Sequence, residues 1–152
     1  MTKATYDTDF YTWTQEQAAL LRGKAWEQLD LNNLAEEIEA LGKSDRRAVQ
    51  SHLVVLLQHL LKWIYQPQQR GRYGVGWQTS IDEARTQVGL ILQDSPSLQR
   101  ELPAFVAWAY PRARRKAHRE TGLPLATFPE TCPWRLEQIL DEDFFSCSAP
   151  NS

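Results

Sequence analysis

Three glutamates and two histidines, Glu36, Glu37, Glu39, His52 and His59, fall within one stretch, EEIEALGKSDRRAVQSHLVVLLQHLLKW. Carboxylate and imidazole are the donors of helix-borne metal sites, where a bound ion lowers the pKa of a water and makes it a hydrolytic nucleophile. Histidine ligands on one helix usually stand three or four residues apart, whereas His52 and His59 are seven apart, about 10 Å along a helix axis. At about 100° of rotation per residue, Glu36 falls opposite the leucines of its own helix and Glu39 well off them, so only Glu37 looks toward a following helix. A metal-dependent hydrolase or nuclease using Glu37, His52 and His59 is one reading. The spacing favours another: Glu37 or a neighbour hydrogen-bonds His52 or His59 at the border of a core and fixes a helix crossing, with no metal and no other cofactor required.

A second group is PRARRKAHRE, where Arg112, Arg114, Arg115, Lys116 and Arg119 follow one another with no intervening acid. On a helix Arg112, Arg115 and Arg119 form a stripe able to bind phosphates of a nucleic acid or an acidic protein surface. No base-reading motif accompanies it, and solvation or pairing with Glu137, Asp141, Glu142 and Asp143 is the simpler expectation. The glycines of RGRYGVGW suggest a phosphate cradle, but the lysine and hydroxyl residue of a P-loop do not follow, and no strand precedes. Nucleophile-elbow, zinc-knuckle and dinucleotide-binding patterns are absent from the sequence.

The elements that must position these groups read as helices. Thr14 and Gln17 offer a capping box for a helix running to about Gln28, preceded by an aromatic arm, YDTDFYTW. Leu31, Leu34, Ile38 and Leu41 make the single stripe of an amphipathic helix that Asp30 or Asn32 begins and Gly42 ends. Ser44 then caps a central helix, 45–66, stopped by Pro67 and apolar on several sides through Val49, Leu53, Leu56, Leu57, Leu60, Leu61, Trp63 and Ile64. QPQQRGRYGVGW reads as a loop, and helical periodicity resumes from Trp77 through Ile81, Ala84, Val88 and Ile91. Ser95-Pro96 opens a further helix that Pro103 and Pro111 should end or kink, Gly122 caps the last segment, and Pro133 opens a short final helix. The expectation is an all-α bundle of about five to seven helices in one domain, 1–152.

Composition sets outer bounds. The 152 residues are 42% hydrophobic and 24% charged, ordinary globular usage and enough chain for a core. A net charge of -2 supplies no global attraction to nucleic acid or anionic membrane, so only local charge can matter. No apolar run reaches the length of a bilayer span, and the first residues lack the apolar core of a secretory signal. Cys132 and Cys147 stand far apart without metal or redox spacing and read as reduced thiols, so a cytoplasmic location is expected.

YDTDFYTWTQEQAALLR, LDLNNLAEEIEALGKSDRR, HLLKW, WQTSIDEAR, DSPSL, TGLP, FPETCPW and LDEDFF together run almost end to end. In them the chain resembles a bacterial family, abundant in cyanobacteria, catalogued as domain of unknown function 29. The resemblance implies an all-helical fold and no particular activity, and it assigns no catalytic residue. The reading preferred from sequence is a non-enzymatic helical interaction or regulatory module that contacts a protein partner, a second copy included, through PRARRKAHRE or the aromatic arm. The metal-dependent enzyme and nucleic-acid binding through residues 112–119 stand as alternatives.

Overall fold

The computed structural model describes residues 5–144. Their regular structure is helical throughout: α1 (Phe10–Arg22), α2 (Leu31–Tyr65), α3 (Arg70–Asp94), α4 (Leu102–Thr121) and α5 (Leu136–Leu140), with short 3-10 turns between them. No strand occurs among the described residues, so the all-α expectation holds. No helix among them is long and apolar enough to cross a membrane. Packing divides the chain into two compact units, Met1–Ser44 and Asp45–Ser152.

In the first unit Asp9 starts α1, its carboxylate accepting from the Thr12 amide at 3.1 Å. The second half of the aromatic arm, from Phe10 to Trp13, is thus the first turn of a helix. The Thr14–Gln17 capping box does not form: Thr14 Oγ1 donates back to Tyr11 O at 2.6 Å, and the Gln17 side chain serves the next helix. α1 stops at Arg22, short of Gln28, because Gly23 donates to Ala19 O and Lys24 takes a positive φ of 58° that reverses the chain.

The second unit is built on the later part of α2. Val49, Leu53, Leu56, Leu57, Leu60 and Leu61 are buried, as expected of a central helix. They share one core with Ile81, Ala84 and Val88 of α3, with Leu102, Phe105, Ala109 and Ala113 of α4, and with Phe128 and Ile139. Each fully buried leucine contributes about 1.5–3 kcal/mol. α4 ends as the sequence suggests, with Gly122 in the left-handed region at φ 72° and its amide on His118 O.

Further boundaries differ from the sequence expectation. Gly42 is not a cap; α2 runs unbroken from Leu31 to Tyr65, so the 45–66 helix is the later part of a longer one. A lone glycine costs a helix only about 1 kcal/mol, and Ala40, Leu41 and Lys43 beside it are good helix formers. RGRYGVGW is the first turns of α3, not a loop. A Cβ on Gly74 would come within 3.0 Å of the Trp63 indole, and Arg70 lies 4.5 Å over the same ring. Close packing on Trp63 thus offsets the glycine penalty. Pro111 sits inside α4 without ending it, because buried Ala109, Tyr110 and Ala113 anchor the helix on both sides of the missing N–H. Finally, Pro133 precedes the last helix, which begins at Leu136, where Arg135 N–H is met by the Gln138 side chain at 2.9 Å.

Candidate functional site

The Glu37, His52, His59 constellation is not assembled. All three residues stand on α2, so the hairpin that was to bring Glu37 against the histidines is absent. Glu37 instead accepts a hydrogen bond from the Tyr6 hydroxyl. That bond, then loss of solvation and the charge of Glu37, push the Tyr6 phenol up to about 12. His59 turns back on its own helix, Nδ1–H donating to Val55 O at 2.7 Å, and burial holds its imidazole below the ordinary range. Among the described residues no group of three or more His, Cys, Asp or Glu side chains is placed to hold a metal ion.

The basic face of α4 is partly absorbed by structure. Arg112 lies 3.8 Å over the Trp108 ring and donates to Trp108 O at 2.7 Å. Arg114 donates to Phe128 O at 3.1 Å and Leu125 O at 3.2 Å, tying down the extended segment after Gly122. Arg115, Lys116 and Arg119 are exposed, and among the described residues none of Arg112, Arg115 and Arg119 takes part in an ion pair. Of the two arrangements expected, solvation or pairing with the 137–143 acids, Arg115 and Arg119 show the first, while Arg112 is engaged by cation–π and carbonyl contacts.

Two polar groups of the second unit escape sequence reasoning. Glu120 accepts from Lys62 Nζ and Gln58 Nε2. Burial would raise its carboxyl, and these donors outweigh that and hold it below the usual range. Arg85 is buried, with Nε on Ile139 O at 2.8 Å and Nη1 on Phe144 O at 3.1 Å, closing the end of α5. Its guanidinium pKa is lowered by burial, against the charges of Asp82, Asp141 and Glu142. Both groups look like ordinary charged positions in sequence; only tertiary packing shows their partners.

The first unit carries the most unusual feature of the molecule. Tyr6 meets Glu37 and Gln17 meets Asp30, so the chain through α1 runs opposite to the start of α2, and the two meet through polar groups. Trp13 Nε1 donates to Asp30 Oδ2 at 3.0 Å, Asn33 Nδ2 donates to the same oxygen at 2.8 Å, and Asp30 N donates to Gln17 Oε1 at 2.8 Å. The Asn33 bond, opposed by desolvation and assisted by Trp13, holds the Asp30 carboxyl below its usual range. These groups line a cleft of about 490 Å³ with Tyr6 and Leu20. Trp13 is buried, its ring edge-on to Tyr6 and stacked with Phe10.

The leucine stripe, which an amphipathic helix should turn inward, faces solvent. Leu31 is 65% exposed, Ile38 66% and Leu41 70%; Leu34 is half-buried. Leu21 of α1 is exposed as well, and of the aromatic residues Phe10, Tyr11 and Trp13 only Trp13 is buried, Phe10 being half exposed against the Trp13 ring and Tyr11 largely in solvent. Apolar side chains grouped in this way make this surface a candidate contact site.

An all-helical protein with two compact units and an apolar face on its N-terminal helical hairpin is the class that fold and surface define. Within that class the chain belongs to the DUF29 family, the domain of unknown function DUF29, whose model matches residues 5–145. No curated protein and no solved structure matches the chain.

Proposed function

We propose that this protein is a non-enzymatic helical interaction module whose contact surface is the apolar face of the N-terminal hairpin. One observation carries the reading: the hairpin spends its polar residues, Gln17, Asp30 and Asn33, on its own interior and leaves Leu31, Ile38 and Leu41 in water. Those side chains contribute little to the isolated chain, whereas burial against another surface would yield about 1.5–3 kcal/mol for each one fully covered. The surface differs from the two suggested by sequence. PRARRKAHRE has part of its charge engaged within α4, and the aromatic arm contributes Phe10 to the same face.

Site-specific photocrosslinking in cells tests this. A photoreactive side chain at Ile38 should give a covalent protein adduct, while one at exposed Glu36, on the opposite side of α2, should not. Equal or absent adducts at both positions would refute the reading.

A further inference from the structure

We infer that the occupant of this face is a second copy of the same hairpin, docked antiparallel to form a four-helix bundle. The inference rests on the interaction-module reading and names its partner. The apolar positions of α2 are spaced three, four and three residues apart, from Leu31 to Leu34, Ile38 and Leu41. That spacing is a palindrome. An antiparallel copy therefore sets Leu31 against Leu41 of the second copy, and Leu34 against Ile38 of the second copy, in layers like those of bundle cores, with the helix dipoles opposed.

The surroundings of the stripe suit such a contact. Glu36, Glu39 and Lys43 point away from it, roughly 120–180° around the helix at 100° per residue. On that flank the stripe is bordered by Ala35 and Gly42, and a Cβ on Gly42 would meet nothing within 4 Å, which leaves room for close approach. On the other flank Glu37 is held by Tyr6 within its own hairpin. Phe10 and Leu21 share one stripe of α1, displaced from the buried Trp13 in the same rotational sense as the leucines are displaced from Asp30 and Asn33. Because the two helices are antiparallel, both stripes lie on one side of the hairpin.

The area is of the right order. Phe10 about half exposed, Leu21 somewhat less, and Leu31, Ile38 and Leu41 about two-thirds exposed together offer on the order of 400 Å² of apolar surface per copy. A standard stable interface buries about 800 Å² per partner, of which roughly 60% is apolar. A self-complementary patch of this size closes under two-fold symmetry and needs no further chain.

Light scattering of the full chain at micromolar to near-millimolar concentration should give twice its mass of 17.6 kDa. L31Q/I38Q/L41Q should be monomeric with unchanged helix content. On a C132S/C147S background, L31C and L41C should each stay uncrosslinked alone and form a disulfide-linked pair when mixed. A monomeric parent, a dimer that survives the triple change, or self-crosslinking of L31C alone would overturn the inference. A monomer that still gives an adduct from position 38 in cells would refute the second copy as occupant and leave the interaction module standing; loss of both would remove both.

Discussion

Replacing Gly42 with alanine separates a continuous α2 from a hairpin by the sign of one free energy. Gly42 lies inside the helix, and an added Cβ there would meet nothing within 4 Å. Alanine should then stabilise the chain by about 0.5–1 kcal/mol, since glycine in a helix interior loses that much through its unfolded-state freedom. For a chain of this size that corresponds to a rise in Tm of about 1–4 °C. If Gly42 were instead the left-handed cap that its sequence position suggests, alanine would cost about 1–2 kcal/mol, because its Cβ would crowd the following carbonyl. Urea unfolding followed by far-UV circular dichroism resolves the two, whose expected values lie on opposite sides of zero. Destabilisation by about 1 kcal/mol or more would refute the continuous helix.

Other perturbations address the second unit. Arg85→Met strips the donors from Ile139 O and Phe144 O and should cost about 3 kcal/mol in urea unfolding, with proteolysis newly starting near α5; a loss under about 1 kcal/mol would contradict the clasp. Burial holds His59 below its ordinary 6.5, so the unfolded chain takes up a proton first as pH falls. Stability should therefore be greatest above about pH 6.5 and decline as pH drops toward the folded value, and His59→Gln should remove that slope; identical slopes would count against it. R112Q/R115Q/R119Q should lower stability by no more than about 1 kcal/mol, chiefly through loss of the Arg112–Trp108 stack, and should leave retention on nucleic acid unaltered. Salt-sensitive binding by the parent, abolished in the variant, would contradict this.

The fold was legible where periodicity and packing agree. The leucines from Leu53 to Leu61 announced a helix covered on several sides, and burial of all of them follows. Gly122 and the stop before Pro67 carry backbone constraints that sequence expresses directly. Punctuation misled wherever a tertiary contact outweighed a local penalty, as at Gly74 beneath Trp63 and Pro111 between buried neighbours. The candidate site was legible in its residues and not in their orientation. Leu31, Leu34, Ile38 and Leu41 read as a core stripe, and periodicity cannot distinguish a face turned to the chain's own core from one left in solvent. Nothing local predicts that Asp30 would collect Trp13, Gln17 and Asn33 into a polar interior.

The claim that this stripe serves contact rather than the chain's own core is tested most directly by the unfolding free energy of L31Q/I38Q/L41Q at nanomolar concentration, where partners are dilute. Glutamine and leucine have similar helix propensities, and exposed substitutions shift stability by about 0.5 kcal/mol or less each, so parent and variant should agree within about 1.5 kcal/mol. A loss of about 6 kcal/mol or more, the scale of three truncations in a packed core, would show that the leucines belong to the fold and would contradict the account.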